Sequence, residues 1–213
     1  MTAVSAVSGV ARGLCEKEWN GLLNSAELFL GNFYIDENAG FLEGVWQGYS
    51  KQSWESLQTG FGHTVNQFFN TIWQVESIQY GNGAIVAESK HDGFGGFTIG
   101  SFVFGDKGIK ASPYDELFQH EYGHYLQSRR YGPADVFAEI WSLFSYAWAK
   151  DHRETAVEID ANRKAFKYFV NNVDGFGKID EDGYWSSNNW KWDVNPLEKE
   201  KDKWGLYHKK YKF

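Results

Sequence analysis

The chain has 213 residues and a formal net charge of −7, with 42% hydrophobic and 18% aromatic residues. That length and composition suit a folded domain with a real core and exclude a disordered chain. The acidic balance excludes a binder of the nucleic-acid backbone, which needs a dominant basic face. A single cysteine, Cys15, excludes an intrachain disulfide and a thiolate metal cluster.

Residues 1–15 lack a basic n-region and a solid apolar segment, so they do not read as a secretory signal. Residues 1–50 have poor periodicity and resolve into no element. From 53 to 73, Trp54, Leu57, Phe61, Val65, Phe68 and Ile72 recur at three- and four-residue steps, which predicts a helix weakened by Gly60 and Gly62. Gly81-Asn82-Gly83, between two short β-like runs at 77–80 and 84–88, predicts a hairpin closed by an Asn-Gly turn. Residues 97–104, fenced by glycines on both sides, predict one further strand.

The second half is helical. Ser112-Pro113-Tyr114-Asp115 predicts a helix start with Ser112 as N-cap, running to about Arg130 and stopping at Tyr131-Gly132. Pro133 opens a second helix to about Lys150, and a third runs from Asp151 or His152 to about Val170. The apolar stretch 136–149 is interrupted by Glu139, Ser142 and Ser145 and is too short to cross a bilayer, so no membrane insertion is expected. Beyond Asn171, Asp, Gly, Asn and Trp dominate with no helical period, and the mixed-sign run 199–203 reads as a solvated face. The expectation is one α+β domain over 1–213, with an antiparallel β-rich part to about 110 and a helical part from about 111. Without a leader, it is expected to be cytoplasmic or to be exported within a longer polypeptide.

The chemistry concentrates in His120-Glu121-Tyr122-Gly123-His124. Two histidines four apart on a helix project from one face, where both imidazoles can reach one zinc ion at about 2.0–2.1 Å. Glu121, next to the first of them, can address a water on the metal and act as general base. Leu117, His120, Glu121 and His124 occupy the i, i+3, i+4, i+7 stripe that is ordinarily apolar, so three ionisable groups there need partners or a metal.

A catalytic zinc needs a third protein ligand and an open position. The three-histidine pattern fails, because Arg130 stands where the third histidine belongs and Gln127 where a glycine does. Glu139, Glu154 and Glu158 compete for the place. On the third helix Asp160, Arg163, Lys164 and Lys167 form a charged stripe, leaving Glu154, Glu158, Ala161, Asn162, Ala165 and Phe169 on the inner side. Glu158 is the favoured ligand, with two alanines allowing a close helix approach. Glu154 is equally explained by the helix dipole. Asn162, one turn after Glu158, is placed to orient a zinc-binding histidine. His152, at the start of this helix, reads either as a surface cap or as a catalytic donor to an oxyanion.

With these residues the chain resembles the gluzincin metallopeptidases, whose second motif is Glu-x-x-x-Asp; here Glu158-Ile159-Asp160-Ala161-Asn162 departs by carrying Asn in place of the final Asp. The resemblance implies a zincin-like helical part, with zinc on His120, His124 and Glu158, Glu121 as base and a peptide or protein as substrate. It also implies an edge strand, here 97–104, that holds an extended peptide. The runs 97–106 and 117–128 are similar to metallopeptidase-like domains that end some bacterial Rhs-repeat and polymorphic-toxin chains. The competing expectations are a zinc hydrolase of a non-peptide or cell-wall amide and a non-catalytic metal-binding module.

Overall fold

The computed structural model describes residues 2–16, 19–72, 74–131, 156–179 and 185–192. It has the expected α+β class, and four helices precede the sheet: α1 Thr2–Glu16, α2 Asn20–Gly31, α3 Phe41–Gln52 and α4 Ser56–Thr71. The helix expected from 53 to 73 is α4. The first fifty residues, which resolve into nothing by pattern, hold three helices, and Cys15 lies within α1. Strands β1 Val75–Gly81, β2 Ala84–Ser89, β3 Gly96–Ile99 and β4 Phe102–Gly105 follow. Helices α5 Glu116–Tyr131 and α6 Ala156–Asn172 come next, then a small ribbon of β5 Lys178–Ile179 and β6 Trp185–Ser186.

The predicted hairpin is β1–β2. Gly81 pairs with Ala84 across Asn82 and Gly83, whose φ values of 53° and 82° are the left-handed pair that a two-residue hairpin turn demands. The single strand expected at 97–104 is two. Gly100, at φ 61°, reverses the chain, so that β3 returns antiparallel to β4 with Phe97 opposite Phe104. β4 lies parallel to β2, giving the order β1-β2-β4-β3 with β3 at an edge. The sheet is therefore mixed.

Alternation along the central strands sorts the core. Ala84, Val86 and Val103 face one way, onto Phe118, Tyr122 and Phe169 of α5 and α6. Ile85 and Phe102 face the other way, onto Leu28 of α2, and Phe104 stacks on Phe69 of α4 with ring centres 4.6 Å apart. The result is three layers, with α1, α2 and α4 on one side of the sheet and α5 and α6 on the other.

Helix α5 starts later than the Ser112 cap predicts. Asp115 is the cap: its Oδ1 accepts the Phe118 amide at 2.9 Å, and its carbonyl accepts the Gln119 amide at 2.9 Å. Ser112 instead closes the preceding turn, accepting the Asp115 amide. The helix expected from Pro133 to Lys150 lies outside the described residues, as do His152, Glu139 and Glu154. Among the described residues, no helix is long and apolar enough to cross a membrane.

Candidate metal centre

Helix α5 carries the first two candidate ligands, and its partner α6 carries the third. The two helices touch between the ligands: a β-carbon on Gly123 would lie 2.2 Å from the Ala161 carbonyl oxygen. Only a glycine there allows backbones to approach so closely. Ala161, Ala165 and Phe169 of α6 are fully buried, so the inner side read from the sequence is the packed one.

That approach brings His120, His124 and Glu158 together, one ligand atom of each lying within 4.8 Å of the others. Glu158 Oε2 stands 3.1 Å from His120 Nε2 and 3.2 Å from His124 Nε2. For ligands at about 2.0–2.1 Å from one tetrahedral ion, neighbouring ligand atoms stand about 3.3 Å apart. Both imidazoles are 12% exposed and Glu158 is 3% exposed at the side chain, so the corner is nearly dry but open at the histidines. Burial pushes the Glu158 carboxyl up. Where both rings are protonated and no cation sits between them, the hydrogen bonds and positive charge of His120 and His124 outweigh burial and hold it well below the usual carboxylate range.

The far nitrogens of the two rings decide what sits at the near ones. Gln127 Nε2 donates at 2.9 Å to both the Val157 carbonyl and Asp160 Oδ2, which fixes the direction of its amide. Its Oε1 therefore faces His124 Nδ1, at 3.0 Å, and must accept from it. On His120 the same place is taken by Asn162 Oδ1, 3.0 Å from Nδ1. With Nδ1 protonated, a neutral imidazole presents a lone pair at Nε2, and both lone pairs then point at a carboxylate oxygen about 3 Å away. Three acceptors converging at that range call for a cation among them. A divalent metal matches the donor set, two imidazoles and a carboxylate.

Glu121 stands outside this cluster, on the side of α5 that meets β3. It is 3% exposed. Thr98 Oγ1 donates to its Oε2 at 2.7 Å and lies 3.1 Å from its carbonyl oxygen. Gly96 leaves room for it, since a β-carbon there would come within 2.9 Å of Glu121 Oε1. Trp192, from beyond the β5–β6 ribbon, stacks on the His120 ring with centres 4.2 Å apart and planes 14° apart.

Of the residues expected from sequence, the structure gathers His120, His124, Glu158 and Asn162 and sets Glu121 beside them on the same helix. His152 lies outside the described residues. Sequence reasoning missed Gln127, Thr98 and Trp192. Gln127 was within reach, being one turn after His124 on the same helix face. No family model, curated protein or solved structure matches the chain.

Proposed function

We propose that the chain is a gluzincin-like zinc hydrolase that cleaves peptide bonds. The observation that carries this reading is the convergence of His120 Nε2, His124 Nε2 and Glu158 Oε2, with both outer ring nitrogens engaged by amide oxygens. Zinc, when bound, supplies Lewis acidity towards a water and a substrate carbonyl. His120, His124 and Glu158 would hold it, while Asn162 and Gln127 keep both rings in the ligating tautomer.

Glu121 is the residue that turns a metal site into a hydrolase. As a carboxylate it takes a proton from the attacking water and returns it to the leaving amine. The Thr98 hydroxyl donates to Oε2, holding the side chain in one rotamer with Oε1 remaining for that proton. A purely structural zinc has no use for such a base, which favours hydrolysis over a non-catalytic module. A peptide substrate is supported by β3, an edge strand that, among the described residues, pairs only with β4 and packs on Glu121 through Thr98. An extended peptide added to that edge would run past the base.

The test is direct. The purified chain should bind one zinc per molecule and cleave members of a mixed peptide library. Glu121→Gln should keep the zinc and lose cleavage by about a thousandfold or more. Normal cleavage by the Gln variant would remove Glu121 as the base, and absence of zinc binding would remove the whole reading.

A further inference from the structure

The helices before the sheet are built inside out. In a water-soluble helix the apolar stripe faces the core and the polar stripe faces solvent. In α4 the buried positions are Gln58, Thr59, Gly62, His63, Asn66, Gln67 and Asn70, all polar or glycine. Its apolar stripe points outward, with Leu57 at 64%, Phe61 at 44% and Phe68 at 59% exposure. α1 repeats the pattern: Ser5, Gly9 and Arg12 are buried, while Val7, Val10 and Leu14 are exposed. α3 does the same, burying Gln47, Ser50 and Lys51 and exposing Val45, Trp46 and Tyr49.

Among the described residues, nineteen of the twenty-two exposed large hydrophobic side chains belong to residues 2–72. In the same span the only exposed charged residues among those described are Glu37 and Glu43, and no Lys or Arg is exposed.

What joins these helices to one another is polar. Ser5 Oγ meets His63 Nε2 at 3.1 Å and accepts from Gln67 Nε2 at 2.9 Å. Arg12 donates to Asn70 Oδ1 at 2.6 Å and to the Val75 carbonyl at 2.8 Å. Ser25 donates to Gln67 Oε1 at 2.9 Å and accepts from Asn70 Nδ2 at 2.8 Å. Small residues close the remaining gaps, as where Gly9 packs on the Leu22 backbone. Small residues and side-chain amides between helices, with apolar side chains outside, are what a hydrocarbon solvent selects. A face made for a soluble protein partner would rest on helices whose own seams are apolar, because those helices must first fold in water.

We propose that the outer face of the α1–α4 layer embeds in the apolar boundary region of a lipid bilayer without crossing it. The helices have 12 to 16 residues, about 18–24 Å of length, against a hydrocarbon core of about 30 Å. They therefore lie in the surface. Trp46, Tyr49 and Trp54 cluster at the α3–α4 turn with ring centres 5.2 to 5.9 Å apart, an aromatic anchor of the kind that sits at headgroup level. With no exposed Lys or Arg among the described residues of the layer, attraction is expected to be apolar and indifferent to lipid charge. The metal centre lies across the sheet from α1, α2 and α4 and remains in water. The proposal departs from the expectation of no membrane insertion, which rested on residues 136–149 alone.

The experiment uses the full chain and vesicles of neutral phosphatidylcholine. The protein should float with them to the same extent at low and high salt, and brominated phosphatidylcholine should quench its tryptophan emission. Phe61→Glu combined with Phe68→Glu should lower the bound-to-free ratio by about tenfold or more, with circular dichroism and zinc content unchanged. If that variant does not fold, Trp46→Phe in the otherwise native chain should remove part of the lipid quenching. Failure to float overturns the proposal, most plainly if the chain is a stable dimer in lipid-free buffer, which would make this face an interface between copies. A requirement for anionic lipid also overturns it, placing membrane binding elsewhere in the chain. None of these outcomes depends on hydrolysis.

Discussion

Gly123 and Ala161 meet backbone to backbone, with His120 and His124 on either side of one and Glu158 and Asn162 on either side of the other. The helix separation at that point sets how far Glu158 must reach to stand beside both imidazoles. Gly123→Ala would place a methyl 2.2 Å from a carbonyl oxygen that cannot retreat without moving α6. The expected result is a loss of about 1–3 kcal/mol in stability and at least about tenfold in zinc affinity, read by denaturant titration and by competition with a chelator. Gly96→Ala gives the complementary result. Its methyl would press on the Glu121 side chain, 2.9 Å from Oε1, 3.1 Å from Cδ and 3.2 Å from Cγ, so zinc should be retained and hydrolysis lost.

The two amides behind the histidines should matter nearly as much as the ligands. Asn162→Ala and Gln127→Ala should each lower zinc affinity by about 10–100-fold, because the ring nitrogen facing the metal is no longer kept as an acceptor. Asn162→Asp should strengthen binding, since a carboxylate polarises the imidazole more than an amide does. Isothermal titration of the metal-free chain would rank the four proteins, and equal affinities would show that the amides do not orient the rings.

Thr98 offers a way to probe the base without touching the metal. Thr98→Val keeps the shape of β3 and removes the hydroxyl that donates to Glu121 Oε2. Turnover should fall by about tenfold, with KM and zinc content unchanged, as for an interaction that positions a group for the transition state. A rise in KM alone would instead place Thr98 in substrate binding.

Lys51 should write its own signature on stability. It is 2% exposed and donates to the carbonyls of Tyr34 and Gly83 at 2.5 and 2.9 Å. Burial, with the nearby Arg129 charge, brings its ammonium down to about 7, although Glu55 and Asp36 oppose that. The unfolded chain keeps this proton to about pH 10.4. Between pH 7 and 10 the unfolded state therefore binds more protons, and stability rises with pH by a few kcal/mol from this group. Above about pH 10 the slope turns, because burial raises the hydroxyls of Tyr122, Tyr125 and Tyr168. Denaturant unfolding from pH 6 to 10 should show the rise, and Lys51→Met should flatten it; a parallel pair of profiles would mean that Lys51 stays charged throughout.

The legible parts of this molecule are those governed by spacing along one element. The four-residue step in α5 and the two faces of α6 are local geometry, and they were enough to pair His120, His124 and Glu158 and to place Asn162. The Asn-Gly hairpin is legible for the same reason. Thr98 and Trp192 are not, because they reach the site from strands and turns distant in sequence. Gln127 sits where one pattern wants a glycine, and that comparison hid its position one turn past His124. Gly100-Ser101 inside 97–104 was a turn signal within an apolar run, and the run prevailed over it.

The stripe from Trp54 to Ile72 carries a different lesson. Its period identifies a helix and says which residues share a face, but period alone does not say what that face meets. The neighbouring segments offer Ser5, Arg12, Ser25 and Asn32 side chains, and these engage the polar face of α4 and leave the apolar one outside. The parallel β2–β4 pairing is likewise invisible to local pattern, because it depends on how the β3 excursion returns.

His124 and Glu158 are 34 positions apart in the chain yet share one corner. An ion held there would tether two helices that otherwise rely on the Gly123 seam and its flanking aromatics, closing a long loop that the unfolded ensemble must otherwise close unaided. Binding of this kind feeds directly into folding equilibrium, deepening the native well as free metal rises above its dissociation constant. The lifetime of the fold and, on the proposed function, the rate of hydrolysis would then respond to the same variable, the ambient supply of zinc.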